Sequence, residues 1–236
     1  FICGLPLQTV ESVRASLTTL LRMKPDRVNY LPYVHVPWIK PSQRQYTEAD
    51  LPDATLRREL YLLGREKLAA AGYVEIGFDQ FALPSDPLAQ SREAGRLTRS
   101  FMGFAPAPVD ALIGLGVSAI GDTPGAYAQN EKNLQRYEAR VVAGELPLQR
   151  GHVLDAEDRA IRGLLTDLLA SRAATLPEPV RQSDWWPPVR QELEKFAADG
   201  LVELSEAQIQ VTALGRAFLA RIGITLDRRL RESLAS

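Results

Sequence analysis

The chain has 236 residues, of which 45% are hydrophobic, so it can form the core of one large domain or of two smaller ones. Its 28 basic and 29 acidic residues nearly cancel, which argues against nucleic acid and against anionic membrane surfaces as partners. The single cysteine, Cys3, excludes an internal disulfide and favours the cytoplasm, and no apolar run approaches the ~20 residues that cross a bilayer.

The first predicted elements are a strand and a helix. The sequence begins inside an apolar run, from which we expect a chain cut out of a larger protein. A strand end at Phe1–Cys3 is followed by a helix that begins after Thr9, a residue type common at helix N-caps. Val13, Leu17 and Leu20 then recur at helical spacing and predict one buried face.

Two further strands and a second helix follow. A strand is predicted over Val28–Val34, where Pro32 argues for a sheet edge. After a long loop, a helix begins near Leu56 and ends near Gly72, and Tyr73–Phe78 forms the next strand. Strands and helices that alternate in this way indicate parallel βαβ units, which occur in barrels and in open doubly wound sheets.

The middle of the chain has a weaker pattern. Residues 84–110 are irregular, and residues 130–145 predict a polar helix. Residues 111–121 predict another strand, although their pattern also fits a helix. The stretch at 111–121 contains Gly114 and Gly116, but its third glycine is misplaced for a dinucleotide fingerprint and the lysine of a phosphate-binding loop is absent. We therefore expect these glycines to permit close packing of a strand.

The last third predicts a different type of domain. Asp155 caps a helix, a second helix ends at Gly200, residues 201–212 form a hairpin, and Thr212 caps a final helix. Leu214, Phe218 and Ile222 are expected to form the buried face of that helix. This order of helix, helix, hairpin and helix is typical of a winged-helix-like domain.

Two groups of side chains are candidates for ligand binding. His35 and Trp38 follow a predicted strand, where α/β folds bind ligands, although they can equally be aromatics that pack on the sheet rim. Arg92, Arg96 and Arg99 would share one face of a helix and could clamp carboxylates, the alternative being a solvated basic face. His152 is given no role.

Other kinds of active site are excluded by the residues available. One cysteine and two distant histidines match no zinc or cluster spacing, so no metal site is expected in this chain. No nucleophile elbow of the serine hydrolases is present either.

Several colinear stretches together resemble the oxygen-independent coproporphyrinogen III oxidases, which are radical S-adenosylmethionine enzymes of heme biosynthesis. The stretches are "GLPLQT" at 4–9, "PDRVNYLPYVHVPW" at 25–38, "AAGYVEIGFDQFALPSDPLA" at 70–89, "GLGVSAIG" at 114–121 and "AYAQN" at 126–130. The resemblance covers most of the chain and is strongest between residues 4 and 130.

The resemblance implies an α/β fold, the second half of an incomplete (β/α) barrel followed by a mostly helical, winged-helix-like C-terminal domain. It places the partial barrel at 1–122, a connector at 123–150 and the helical domain at 151–236. The family holds its [4Fe–4S] cluster in an N-terminal C-x-x-x-C-x-x-C motif, which this sequence lacks. The cluster and S-adenosylmethionine are therefore expected as cofactors of the full-length protein, with no cluster in this fragment, which alone is expected to be inactive.

The resemblance also implies contacts with cofactor and substrate. Two positions that contact S-adenosylmethionine in the family correspond to Val34 and Ile120. The tetrapyrrole is expected to bind near four residues, with a clamp for its propionates among them: His35, Trp38, Arg96 and Arg99. No catalytic residue is assigned.

Some residues depart from the family pattern. Gln80 stands where a histidine is common. Four residues replace polar or titratable ones near the expected substrate, namely Thr98, Ser100, Met102 and Ala105, whereas Arg96, Arg99 and Phe101 are retained. These departures leave the exact tetrapyrrole open.

The leading hypothesis is part of a cytoplasmic, monomeric enzyme that oxidatively decarboxylates coproporphyrinogen III to protoporphyrinogen IX, without nucleic-acid or membrane partners. The alternative is a heme- or porphyrin-binding, chaperone-like paralogue without oxidase activity. A second alternative is a nucleic-acid-binding module, although acidic residues are interspersed with its basic ones. The arginines of that module would be Arg216, Arg221, Arg228, Arg229 and Arg231.

Overall fold

The computed structural model describes residues 1–100 and 102–235 and divides the chain into two compact units. Unit 1 is Phe1–Glu93 and unit 2 is Ala94–Ser236. The division expected from the sequence, into a partial barrel, a connector and a helical domain, stays a prediction. Within the described residues the strands form five separate sheets of two or three strands and no closed barrel, in an α/β arrangement.

Unit 1 contains three helices and five short strands among its described residues. In chain order these are β1 (Ile2–Cys3), α1 (Val10–Met23), β2 (Arg27–Asn29), β3 (Leu31–Pro32), α2 (Ala54–Ala70), β4 (Val74–Gly77), β5 (Gln80–Ala82) and α3 (Pro87–Glu93).

Unit 2 starts with strands and ends with helices. Its elements are β6 (Thr98–Ser100), β7 (Gly103–Ala105), β8 (Ile120–Thr123), β9 (Ala126–Asn130), α4 (Leu134–Val142), β10 (Leu148–Val153), α5 (Ala156–Ser171), β11 (Ala173–Thr175), α6 (Glu178–Arg181), α7 (Trp186–Ala198), β12 (Val202–Leu204), β13 (Gln208–Val211), α8 (Leu219–Leu226) and α9 (Arg228–Ala235).

The expected βαβ arrangement is only partly correct. Strands β1 and β3 pair in parallel across helix α1, which begins after its predicted N-cap Thr9. Strand β4, however, pairs antiparallel with β5, a strand that the sequence pattern did not predict. Phe78 and Asp79 both adopt positive φ angles, of 43° and 60°, and these left-handed residues turn the chain back into a hairpin.

Tyr30 interrupts the strand that was expected over Val28–Val34 and forms the centre of unit 1 instead. Its side chain is fully buried, and its hydroxyl donates to the carbonyl of Leu60 at 2.5 Å. The ring lies against Gly64 of helix α2, where any side chain would collide with it. Cys3 is buried in the same cluster, and burial raises the pKa of its thiol.

The predicted strand at 111–121 is mostly a loop. Leu112 makes a single bridge to Asp122, and regular pairing begins at Ile120, the first residue of β8. Strands β8, β9 and β10 form an antiparallel sheet, and only Leu134–Val142 of the helix predicted over 130–145 is helical. The glycines in the loop break the strand because they allow turns that β-branched residues resist.

The predicted C-terminal elements occur in the predicted order, with one correction and three additions, which are β11, α6 and α9. Asp155 caps α5, and β12 and β13 form the expected hairpin, to which β11 adds a third strand. Leu214 and Phe218 do not form a buried helix face, because residues 215–218 make a 3₁₀ turn that leaves both side chains exposed. Among the described residues, no helix combines the length and apolarity that crossing a bilayer requires.

We predict that Gly64→Ala destabilises the protein although alanine is the better helix former. A Cβ atom at position 64 would lie 1.9 Å from Cζ of Tyr30, whose ring is enclosed by the core. Overpacking of this kind costs about 2 kcal/mol or more in the free energy of unfolding. Urea denaturation of the 236-residue chain, followed by circular dichroism, measures the change.

Gly163→Ala is the matched control, because Gly163 also lies inside a helix, α5, but nothing is within 4 Å of its added Cβ. Here the helix propensity of alanine should raise the free energy of unfolding by about 0.5–1 kcal/mol. Equal effects of the two substitutions would contradict the packing of Tyr30 against Gly64.

Candidate functional site

The loop after β3 presents two of the predicted site residues at the surface of unit 1. Val34 and Trp38 are 64% and 72% exposed. Gln43 fixes the loop, since its side chain accepts from the backbone N–H of Val36 at 2.6 Å and donates to the carbonyl of Val34 at 3.1 Å. The ring of His35 is half-buried, with Nδ1 3.2 Å from the hydroxyl of Tyr33. Because its side chain is largely exposed, Trp38 does not pack against the sheet rim as the alternative interpretation expected.

Ile120, the other predicted cofactor contact, lies at the start of β8 in unit 2 and is half-buried. The backbone of Gly114 approaches it so closely that a Cβ there would lie 2.7 Å from the carbonyl carbon of Ile120. The buried side chain of Asn130 holds the glycine loop by donating to the carbonyls of Gly114 and Gly116, both at 2.9 Å. The glycines thus serve close backbone packing.

The three arginines expected on one helix face lie on different elements. Helix α3 ends at Glu93, and Gly95 adopts a φ of 67°, so only Arg92 is helical. Arg96 is exposed in the following loop, and Arg99 lies on strand β6. The helix prediction was wrong because a glycine stops the helix between the arginines. Phe101 lies outside the described residues.

Arg99 is a half-buried cation beside a cavity of unit 2. Its guanidinium carbon lies 5.0 Å from the ring centre of Phe104, on the paired strand β7, and burial lowers its pKa. Such stacking on an aromatic face is a favourable position for a guanidinium. Of the four residues predicted to bind the substrate, Arg99 is the one that lines this cavity.

The cavity, which we call the Arg99 cavity, has a volume of about 670 Å³. Its lining residues come from strands β6, β8, β9 and β10, from helix α5, and from Asp227 and the start of α9. Its lining comprises Arg99, Ser100, Asp122, Tyr127, His152, Asp158, Ile161, Arg162, Leu165, Thr166, Leu169, Asp227, Arg228, Arg229 and Leu230.

Arg162 is fixed in the wall by the strands opposite its helix. Its Nη2 lies 2.7 Å from Oδ1 of the buried Asp122, and its Nη1 donates to the carbonyl of Thr123 at 2.7 Å. The guanidinium lies over the ring of Tyr127, 5.2 Å from the ring centre. Burial raises the pKa of Tyr127, so its hydroxyl stays protonated at neutral pH.

Asp158 connects three segments at the other end of the cavity. Arg229 donates to both carboxylate oxygens, at 2.7 and 2.8 Å, and Nε2 of His152 lies 2.8 Å from Oδ2. Oδ2 also accepts from the backbone N–H of Asp155 at 3.2 Å. The hydrogen bonds from Arg229, followed by that from His152, hold the pKa of Asp158 far below its usual value.

Sequence reasoning missed most of this cavity. The capping-box spacing of Asp155 and Asp158 was the available clue to a carboxylate at this helix end. Nothing local relates these residues to Arg229, which lies 71 positions away from Asp158. Arg228 likewise pairs with Glu157 at 2.5 Å, so two of the arginines considered for nucleic-acid binding are paired with carboxylates of α5.

The described residues do not provide ligands for an iron–sulfur cluster. Within 1–100 and 102–235, no group of three or more His, Cys, Asp or Glu side chains is arranged to hold a metal ion. Cys3 is buried, with its Sγ 3.6 Å from the carbonyl of Leu31. A [4Fe–4S] cluster therefore does not fit the residues of this part of the chain.

Comparison with known proteins found similar sequences and a similar structure. Oxygen-independent coproporphyrinogen III oxidases from Pseudomonas aeruginosa and Thermostichus vulcanus are 34% and 33% identical over 97% and 98% of the chain. The chain spans 51% of the first protein and 73% of the second. It spans about half the length of most of the curated relatives it matches along nearly all of its own length. No protein-family model matches.

The structural neighbour is coproporphyrinogen III oxidase from Escherichia coli, described as a radical SAM enzyme. It superimposes with a TM-score of 0.87 at 34% sequence identity, over 97% of this chain and 54% of the other. The fold is therefore that of the corresponding portion of this enzyme.

We predict that Asp158→Asn lowers the free energy of unfolding by about 2 kcal/mol at pH 7, because Arg229 and His152 lose a buried acceptor charge. Since the folded-state pKa is depressed, the wild-type carboxylate contributes its full stabilisation above its ordinary pKa of 3.8. That contribution declines as the pH falls towards the lower folded pKa. Urea denaturation across this pH range, monitored by tryptophan fluorescence, tests both statements.

Asp167→Asn on the same helix is the control. Asp167 is exposed, and desolvation raises its pKa, so its charge does not stabilise the fold. This variant should stay within about 0.5 kcal/mol of the wild type. A similar loss in both variants would refute the specific role of Asp158.

Proposed function

Because the chain belongs to the oxygen-independent coproporphyrinogen III oxidase family, we propose that it forms part of an enzyme that converts coproporphyrinogen III into protoporphyrinogen IX. The observation that supports this most is the match to the Thermostichus vulcanus relative, along 98% of the chain and 73% of that protein. Similarity of this extent includes the strand ends and loops where site residues lie, besides the core.

We propose that two cofactors belong to the complete enzyme, S-adenosylmethionine and a [4Fe–4S] cluster. Together they would supply the radical chemistry of an oxidative decarboxylation, in which a propionate side chain loses a hydrogen atom, carbon dioxide and one electron, which passes to an external acceptor, and becomes a vinyl group. The part of the chain that the structure describes offers no fitting ligand set for the cluster. Its residues would instead orient the organic cofactor and the substrate.

Val34 and Ile120 are the residues that we propose contact S-adenosylmethionine. Val34 presents an exposed apolar side chain on a loop held by Gln43, which suits one face of an adenosine group. Ile120 is half-buried on a strand whose backbone is fixed by Gly114 and Asn130. Both are apolar contacts, and neither would grip a phosphate.

For the substrate we propose His35 and Trp38 in unit 1, and Arg96 and Arg99 in unit 2. Coproporphyrinogen III carries four propionates around an apolar macrocycle, so guanidinium donors and aromatic faces match its chemistry. The proposed location of the enzyme is the cytoplasm. Cys3 is the single cysteine of this chain and is a free thiol, which is typical of proteins of that compartment.

A chimera tests the proposed activity. The 236 residues replace the matching part of the Pseudomonas aeruginosa relative, and the purified chimera is incubated anaerobically with S-adenosylmethionine, a reductant and coproporphyrinogen III. We expect protoporphyrinogen IX to form, as detected by chromatography after oxidation. The 236-residue chain alone should bind no iron and form no product.

The unmodified relative is the positive control for this assay. A folded chimera that holds iron and S-adenosylmethionine but forms no product would contradict the oxidase proposal. That result would instead support a tetrapyrrole-binding paralogue without oxidase activity. Iron and cofactor cleavage in the 236-residue chain alone would contradict the assignment of the cluster to residues outside it.

We predict that Ile120→Ala in the chimera raises the KM for S-adenosylmethionine by about tenfold, since it removes an apolar contact with the cofactor. Ile113→Ala is the matched control, because Ile113 is a 70% exposed isoleucine of the same loop region. Its KM should stay within about twofold. Steady-state kinetics at varied cofactor concentration decide between a specific contact and a general loss of stability.

A further inference from the structure

We propose that the Arg99 cavity is the site where a propionate-bearing edge of the tetrapyrrole binds. This proposal rests on the proposed function for the class of ligand. The structure contributes the place and the residues: guanidinium groups from three elements, β6, α5 and α9, face a cavity with an apolar side formed by α5.

The charged part of the wall is suited to carboxylates. Four arginines and three aspartates line the cavity, so its wall carries more guanidinium groups than carboxylates: Arg99, Arg162, Arg228 and Arg229 against Asp122, Asp158 and Asp227. Guanidinium groups form planar hydrogen bonds with carboxylates. Arg99 stacks on Phe104, with its guanidinium carbon 5.0 Å from the ring centre, and this places a planar cation at the edge of the cavity formed by β6.

The remaining wall is suited to an apolar ring. Ile161, Leu165 and Leu169 recur every fourth residue on α5 and line the cavity together with Tyr127. Apolar rows of this kind give a pyrrole ring a surface to pack on, whereas they offer nothing to inorganic phosphate. A volume of about 670 Å³ is within the range of small-molecule sites.

Two of these arginines are held in position before any ligand arrives. Arg162 is fixed by Asp122, and Arg229 is fixed by Asp158 through two hydrogen bonds. A preorganised donor loses little conformational entropy on binding, so these ion pairs favour a specific site over a flexible basic surface. The same carboxylates limit the net positive charge, which disfavours polyanions such as nucleic acid.

The test uses coproporphyrin III, the stable and fluorescent oxidised form of the proposed substrate, with its four carboxylates. It is titrated against the 236-residue chain, and binding is followed by fluorescence. We expect saturable binding that Arg99→Gln weakens by about tenfold or more, because a charged hydrogen-bond donor is lost. Deuteroporphyrin, which carries two carboxylates, should bind more weakly to the wild type and respond less to Arg99→Gln.

Two variants complete the test. Leu165→Phe fills the apolar side of the cavity without changing a charge and should also weaken binding. Arg190→Gln removes an arginine that does not line the cavity and pairs with Glu194 on helix α7, so binding should be unchanged. Circular dichroism and urea midpoints establish that each variant is folded. If Arg99→Gln does not fold, Leu165→Phe alone decides whether the cavity binds coproporphyrin III.

The proposal is overturned if the wild-type chain shows no saturable binding, if Leu165→Phe binds like the wild type, or if Arg190→Gln weakens binding as much as Arg99→Gln. Its failure is distinct from failure of the proposed function. A chain that does not bind coproporphyrin III, beside a chimera that forms product, would refute the cavity alone. Binding by the chain, beside an inactive chimera, would refute the oxidase activity alone.

Discussion

The arrangement of unit 2 around its cavity depends on one buried carboxylate, Asp158. It completes the N-terminal cap of α5, accepts from His152 on β10 and binds Arg229 at the start of α9. Burying a carboxylate is costly unless several donors surround it, and here donors from three segments do so. The carboxylate thereby fixes the relative positions of a strand, a helix end and the last helix, which together form one end of the cavity.

Elements with a strong local pattern could be predicted from the sequence. Thr9 and Asp155 were identified as N-caps because a side-chain oxygen must satisfy backbone N–H groups at a helix start, and both helices begin as expected. The hairpin β12–β13 was predicted from its alternating pattern. In these cases the local interaction and the fold favour the same conformation.

The errors arose where distant residues override local preference. The hairpin β4–β5 turns at Phe78 and Asp79, which both occupy left-handed backbone conformations, and phenylalanine is rarely found in this conformation. The strand predicted at 111–121 is broken by its own glycines, and the side chain of Asn130 on β9 then holds Gly114 and Gly116 in a loop. Of the residues that line the cavity, sequence reasoning assigned only Arg99 to the substrate, since ion pairs between α5 and α9 leave no periodic pattern.

Burial of Cys3 has a practical consequence for metal analysis. A thiol coordinates iron as the thiolate, and burial raises the pKa of this thiol while the surrounding core excludes solvent. When an iron–sulfur cluster is rebuilt in vitro with excess iron and sulfide, Cys3 is therefore a poor adventitious ligand. In a protein that contains these residues, Cys3 therefore needs no mutation before retained iron is assigned among the other cysteines.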